Sequence, residues 1–244
     1  MPTIKKVKLG VFDIDGTIFR SSLLIELIND FVRSGIFPNE AKEEMKKDYQ
    51  AWLDRKSHYD NYLMQVVRTH LKYITGCKKI QVNKAVSHVL KWQKDRVYRF
   101  TRDLIKKLKK DGYYLLAISG SPNYIVQRFA GYLGFDNSIG QIFEIKKGVF
   151  TGTVLYDLPV KDKAQVLRDF LMYSKLDCDL KNSIAVGDSA SDIPMLELVG
   201  HPIAFNPHRT FAEYAMKKKF AIVVERKDAI FDIKKCIFRD FISE

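Results

Sequence analysis

The sequence predicts an α/β fold, a doubly wound, mostly parallel Rossmann-like sheet with an all-helical cap domain inserted after its first strand. From about residue 100 onward, short apolar β-prone runs alternate with helical patterns, which favours a parallel sheet covered by helices. A similar apolar run, residues 8–12, stands apart near the start. Between them, residues 20–96 show only the three- and four-residue apolar spacing of amphipathic helices, so we interpret them as an insertion.

This pattern divides the chain into an α/β core, residues 1–19 and 97–244, and a helical cap, residues 20–96. In the cap, apolar residues recur at helical spacing in residues 23–31, 59–74 and 82–90, and a charged segment spans 39–55. In the core, the predicted strands cover residues 113–118, a hairpin within 139–155, and residues 183–186, 202–205 and 220–224. Helices are predicted between these strands and over the last segment, about 229–242.

The composition is that of a globular protein with a basic surface. Its 244 residues are 46% hydrophobic, and 41 Lys and Arg against 29 Asp and Glu give a formal charge of +12. A positive balance favours anionic partners such as phosphorylated metabolites, nucleic acid or a lipid surface. Because the lysines are scattered in short pairs and triplets, solvated helix faces are the simpler interpretation, and no nucleic acid is expected as a partner.

The cysteines and the hydropathy pattern indicate where the protein works. Cys77, Cys178 and Cys236 lie far apart without metal-binding spacing, which fits a reduced intracellular setting. No apolar run approaches the length of a membrane span, and the apolar run near the N-terminus is too short for a signal peptide. We therefore expect a cytoplasmic protein.

The first strand ends in the motif Asp13-Ile14-Asp15-Gly16-Thr17. Ligands in open α/β sheets bind outside the carboxyl ends of strands, so both carboxylates can project toward one centre. Gly16 permits a tight turn, and the Thr17 hydroxyl can donate a hydrogen bond or cap the next segment of the chain. An Asp-x-Asp turn without chemistry remains open on these residues alone.

Two later strands end in polar motifs as well. Ser119-Gly120 follows a strand and precedes a helix that Ser121 could cap, with Pro122 in its first turn. A hydroxyl, free N–H groups and a positive helix end favour an anion, although Ser119 could equally be a plain cap.

Asp188 and Asp192 lie four residues apart after another strand and could reach the same centre as Asp13 and Asp15. Converging carboxylates repel one another, so we infer a cation, and all-oxygen ligands favour Mg²⁺. As alternatives, Asp188 could cap the next helix and Asp192 could be an acid of its first turn. Lys163 opens an earlier helix, where a cation is mildly unfavourable and suggests a functional role, although Lys161 is only two residues away.

Taken together, these motifs resemble the haloacid dehalogenase superfamily, and within it the phosphoserine-phosphatase-like branch. The matching stretches occur in the family's order and span the α/β part of the chain; they are residues 13–17, Ser119-Gly120, Lys163 and residues 187–192. The resemblance implies that Lys163 rather than Lys161 is the motif lysine and that the insertion is the family's helical cap.

The resemblance also implies a mechanism. Asp13 is expected to attack phosphorus and form an aspartyl-phosphate, and Asp15 to act as general acid and then general base. Mg²⁺ is expected to be held by Asp13, the backbone carbonyl of Asp15, and Asp188, with Asp192 anchoring the shell. Phosphoryl oxygens are expected to be bound by Ser119, the Gly120 N–H and Lys163.

One departure bears on the substrate. Phosphoserine phosphatases carry a glutamate nine positions after the nucleophile, and this chain has Ser22 there, with Arg20 nearby. We therefore expect a small phosphorylated metabolite other than phosphoserine. Two alternatives remain: a phosphotransferase with the same intermediate, and a basic nucleic-acid-binding protein on an inactive phosphatase fold, which all four aspartates argue against.

Overall fold

The computed structural model describes residues 6–235, and a single eight-stranded sheet forms its centre, in the order β4-β3-β2-β1-β5-β6-β7-β8. The six neighbouring strands β3-β2-β1-β5-β6-β7 are parallel to one another. The two edge pairs, β3 with β4 and β7 with β8, are antiparallel. The strands are β1 (Leu9–Phe12), β2 (Tyr114–Pro122), β3 (Asn137–Lys146), β4 (Val149–Tyr156), β5 (Ile184–Gly187), β6 (His201–Phe205), β7 (Ala221–Arg226) and β8 (Ala229–Asp232). The predicted fold class is confirmed.

Helices cover both faces of this sheet. Four of them follow β1: α1 (Leu23–Arg33), α2 (Glu40–Leu53), α3 (Tyr59–Ile74) and α4 (Lys79–Gln93). The remaining helices are α5 (Arg99–Lys110), α6 (Asn123–Leu133), α7 (Leu158–Lys161), α8 (Lys163–Tyr173), α9 (Ile193–Leu196) and α10 (Arg209–Lys218). No strand interrupts the described chain between α1 and α4, and we call these four helices the helical insertion.

The sheet has a separate apolar cluster on each face because successive side chains of a strand point to opposite sides. Phe12 belongs to the cluster shared with α5 and α6, whereas Val11 belongs to the one shared with α8, α9 and α10. The first cluster continues without a break into the helical insertion, where it includes Leu27 of α1 and Val86 of α4. The insertion is therefore packed onto the sheet through a common core.

The predicted C-terminal helix is wrong where the structure describes the chain. Residues 229–232 form strand β8, which pairs with β7 across a tight turn that has Lys227 at φ 57°. Residues 233–235 are not helical either, and the rest of that predicted helix, residues 236–242, lies outside the described residues, as does Cys236. None of the helices in the described part of the chain is long and apolar enough to cross a membrane.

A buried histidine joins the helical insertion to the sheet layer. His70 of α3 is 1% exposed, and its Nε2 lies 2.8 Å from the Tyr124 hydroxyl of α6. Its ring meets the ring of Phe143, on β3, edge to face at 5.0 Å between centroids. Burial lowers the pKa of His70 from 6.5 to about 3, since a charged imidazolium has little solvation there.

We predict that His70 makes the protein less stable as the pH falls from 6.5 toward 3. Over this range the unfolded chain binds a proton that the folded chain excludes, which costs at most ~1.4 kcal/mol of unfolding free energy per pH unit. Urea unfolding at several pH values should give a shallower pH dependence for His70→Gln than for wild type. The exposed His201 offers a control, and an identical slope for His70→Gln and His201→Gln would contradict the prediction.

Candidate active site

The loop after β1 is shaped by a close approach to the loop after β5. The Asp13 N–H donates to the Val186 carbonyl at 3.0 Å, which holds the end of β1 against β5. Gly16 has φ 87°, and a Cβ at this position would overlap the Asp188 carboxylate. Thr17 donates its hydroxyl to Asp188 Oδ1 at 3.1 Å. Only glycine fits at position 16, because the backbone conformation and the contact both exclude a side chain.

Three carboxylates converge where these two loops meet. Oxygen atoms of Asp13, Asp188 and Asp192 lie within 4.8 Å of one another. Asp192 is fully buried, and its Oδ2 accepts the N–H groups of Asp188 and Ser189 at 3.1 and 3.0 Å, as well as the Ser189 hydroxyl at 2.9 Å. Asp192 therefore fixes the loop that carries Asp188.

Lys163 supplies the positive charge at this centre. Its Nζ lies 2.5 Å from Asp13 Oδ1 and 2.5 Å from Asp192 Oδ1, and the residue is only 7% exposed. Burial alone lowers the pKa of Lys163, but the Asp13 and Asp192 carboxylates outweigh it, so its pKa is raised. Lys161, the other candidate lysine, is instead in an exposed ion pair with Asp157. The ammonium of Lys163 thus links two of the three carboxylates.

The fourth predicted carboxylate points elsewhere. Asp15 Oδ1 accepts the N–H of Leu23, the first residue of α1, at 2.6 Å, and Oδ2 accepts the hydroxyls of Ser119 and Ser121 at 2.6 and 2.8 Å. The expectation that all four carboxylates converge is therefore wrong for the Asp15 side chain. Its hydrogen-bond donors come from the helical insertion and from β2.

The three-carboxylate cluster has the chemistry of a divalent-cation site. Asp13 Oδ2 is buried and makes no hydrogen bond within the described chain. Burial raises the pKa of Asp13 to about 7, with the charges of Asp192 and Asp15 adding to the rise and Lys163 opposing it. Burial and the Asp13 and Asp192 charges also raise the pKa of Asp188. A cation at Asp13 Oδ2 and Asp188 would satisfy the unpartnered oxygen and offset the repulsion, so these residues fit Mg²⁺.

The end of β2 differs from its prediction. Ser121 does not cap α6, because β2 continues to Pro122, which is the N-cap residue and makes no side-chain capping bond. The Ser119 hydroxyl donates to Asp15 and accepts the Ser121 N–H at 2.9 Å. At Gly120 a Cβ would meet only Val160 within the described chain, with Cγ2 at 3.5 Å and Cα at 3.9 Å, both ordinary contacts, so any role of Gly120 rests on its N–H.

Tyr59 of α3 is a neighbour of the site that sequence reasoning missed. Burial raises the pKa of its phenol, and Tyr62 and the Asp15 and Asp188 carboxylates contribute further. In the sequence, Tyr59 is only one apolar position of a predicted amphipathic helix. The signal that could have identified it as a neighbour of the site is its location in the first turn of that helix, α3. The Asp15 and Asp188 carboxylates therefore act on Tyr59 electrostatically, whereas the hydrogen bond from the helical insertion to Asp15 comes from α1.

Comparison with known proteins agrees with this arrangement. A model of the haloacid dehalogenase-like hydrolase family matches residues 11–197, which include every candidate site residue. The chain belongs to this family. A phosphoserine phosphatase of Methanocaldococcus jannaschii is 26% identical to this chain, over 92% of the chain and 95% of the relative. A probable phosphatase of Mycobacterium tuberculosis is 28% identical over 87% of the chain and 73% of the relative.

A solved structure supports the same conclusion. The phospho-aspartyl intermediate analogue of a phosphoserine phosphatase has a TM-score of 0.61 and 25% identity, over 92% of this chain and 96% of that one. The predictions of a haloacid dehalogenase superfamily hydrolase and of a phosphatase are confirmed, while the roles of individual residues remain predictions.

We predict that Lys163→Met strongly destabilises this hydrolase at neutral pH. Removing the ammonium leaves Asp13 and Asp192 as buried carboxylates without a counter-charge, and breaking such a pair costs about 3–5 kcal/mol. The loss should shrink at acidic pH, because Asp13, whose pKa is raised by burial, is then protonated and needs no counter-charge. Urea unfolding measures both effects, with Lys161→Met as the exposed control, and equal stabilities of the two variants would contradict the prediction.

Proposed function

We propose that the protein is a Mg²⁺-dependent phosphomonoesterase that forms an aspartyl-phosphate on Asp13 and acts on a small phosphorylated metabolite other than phosphoserine. The observation that carries this proposal is the buried Asp13 Oδ2, which lacks a hydrogen-bond partner among the described residues and belongs to a carboxylate grouped within 4.8 Å with those of Asp188 and Asp192. The Lys163 ammonium and a bound cation would both favour the ionised form of Asp13, which is the form that attacks phosphorus.

In the proposed first step, an Asp13 oxygen bonds to phosphorus as the bond to the leaving oxygen breaks. Asp15 donates a proton to that oxygen, and the product alcohol departs. Ser119, the Gly120 N–H and Lys163 bind phosphoryl oxygens and spread their charge. In the second step, Asp15 takes a proton from water, which attacks the aspartyl-phosphate and releases phosphate and free Asp13.

The cation has a limited and defined part in this proposal. When bound, Mg²⁺ would neutralise charge on the phosphoryl group and on the carboxylates. Asp13, Asp188 and the Asp15 backbone carbonyl are the proposed ligands. Asp192 is proposed to act behind them, because its oxygens already accept Lys163 and the donors of residues 188–189.

The environment of Ser22 supports a substrate without an ammonium group. Ser22 is 6% exposed at the N-cap of α1 and offers a hydroxyl where an ammonium would need a carboxylate. A buried ammonium without that carboxylate would lose solvation that nothing replaces. Arg20 adds positive charge nearby, with its guanidinium 5.5 Å from the centre of the Tyr98 ring. Asp30, the buried acid of α1, is already paired with Arg33 and His88.

We predict that wild-type protein hydrolyses p-nitrophenyl phosphate with Mg²⁺ and loses this activity after exhaustive chelation. The charge on the phosphoryl group and on Asp13 then has no cation to offset it. Readdition of Mg²⁺ should restore turnover, whereas Asp13→Asn should stay inactive with an unchanged circular dichroism spectrum. Full activity without metal, or in Asp13→Asn, would disprove the proposal, and transfer to added glycerol in preference to water would indicate a phosphotransferase.

We predict that phosphoserine is a poor substrate and that Ser22→Glu improves it. The new carboxylate would pair with the ammonium. A gain of ~1.4 kcal/mol would raise kcat/KM for phosphoserine tenfold relative to a phosphate ester whose alkyl group is uncharged. Comparing kcat/KM for phosphoserine with a panel of sugar and polyol phosphates tests the first part. Ser21→Glu is the matched control, and a wild-type preference for phosphoserine would contradict the inference and direct attention to Glu26.

A further inference from the structure

The strand that carries Ser119 loses its regular pairing just before the site. The ladder between β2 and β3 matches Ile118 with Ile139 and next matches Pro122 with Gln141, so four steps on one strand correspond to two on the other. Residues 119–121 therefore leave the ladder, as in a β-bulge, which is a common way to redirect side chains. Both serines of this bulge point their hydroxyls at one Asp15 oxygen and are at most 3% exposed.

The two hydroxyls are not equivalent in the proposed reaction. Ser119 has one proton to donate, and it can go either to Asp15 Oδ2 or to a phosphoryl oxygen, but not to both. Once Ser119 turns to the phosphoryl group, the Ser121 hydroxyl, 2.8 Å away in this structure, is the remaining side-chain hydrogen-bond donor to Asp15 Oδ2 among residues 6–235. Oδ1 keeps the Leu23 N–H at 2.6 Å.

We propose that Ser121 is a positioning residue that holds the Asp15 carboxyl group in line with the leaving oxygen during catalysis. This inference rests on the proposed phosphatase function. The Ser121 hydroxyl donates to Asp15 Oδ2 and the Leu23 N–H donates to Oδ1, so the two donors hold opposite ends of the carboxyl group and restrict its rotation. The Leu23 N–H holds only Oδ1, so it cannot replace Ser121 once Ser119 has turned to the phosphoryl group.

Leaving-group dependence tests this role directly. p-Nitrophenolate leaves without a proton, whereas an alkoxide needs one, so poor positioning of the acid affects mainly alkyl esters. Because kcat/KM covers only the steps through aspartyl-phosphate formation, it isolates this effect from hydrolysis of the intermediate. For Ser121→Ala we expect about a tenfold loss of kcat/KM with glycerol phosphate and less than about threefold with p-nitrophenyl phosphate.

Three further variants separate positioning from stability. Ser121→Thr keeps the hydroxyl and should restore the ratio of the two kcat/KM values, while Ser121→Cys keeps the volume without a strong donor and should behave like Ser121→Ala. Ser183→Ala removes a buried hydroxyl that accepts the Leu9 N–H at 2.8 Å and donates to the Asp179 carbonyl at 2.7 Å, at the start of β5. Ser183→Ala should change kcat/KM by the same factor for both substrates.

Each outcome has a distinct meaning. Equal losses for both esters in Ser121→Ala and Ser121→Cys, or no recovery in Ser121→Thr, would overturn the positioning role while leaving the phosphatase proposal intact. Absence of hydrolysis of both esters by wild type would instead refute the proposed function, and the positioning role would fall with it.

Discussion

The candidate site depends on one buried ammonium. Asp13, Asp188 and Asp192 bring three carboxylates within 4.8 Å, and such a group could not stay ionised in a protein interior without positive charge. Lys163 supplies that charge from the first residue of α8, where it contacts Asp13 and Asp192. The carboxylates follow β1 and β5, and Lys163 is the first residue of α8. The single ammonium of Lys163 therefore fixes three separate parts of the core relative to one another.

The ammonium of Lys163 does not contact all three carboxylates of the cluster. Lys163 reaches Asp13 and Asp192, whereas Asp188 receives only the Thr17 hydroxyl among the hydrogen bonds of the described chain. The groups left without a positive partner are therefore Asp13 Oδ2 and the Asp188 carboxylate. A second positive charge at this position would complete the balance, which explains why the arrangement favours a metal ion there.

Much of this arrangement was predictable from the sequence, because strand ends and spaced carboxylates leave a local signal. The Asp13–Thr17 motif, Asp188 and Lys163 can be recognised in the sequence from their residue types and from the predicted strand or helix beside each of them. The direction of the Asp15 side chain was not predictable, since it depends on Leu23 and Ser121, which are close only after folding. Strand β8 was missed because its turn places a lysine rather than glycine at positive φ, so the usual hairpin signal is absent.

The hydrogen bond from the Leu23 N–H to Asp15 has a consequence for the energetics of the whole molecule. It joins the first turn of the helical insertion to a carboxylate that also accepts two hydroxyls from β2. Binding free energies are reciprocal, so a ligand that changes how firmly Asp15 holds this N–H also changes how firmly α1 is held against the sheet. Equally, whatever moves α1 away from the sheet removes a donor from Asp15. The packing of α1 and the orientation of Asp15 are thus two readouts of a single equilibrium rather than two independently adjustable properties.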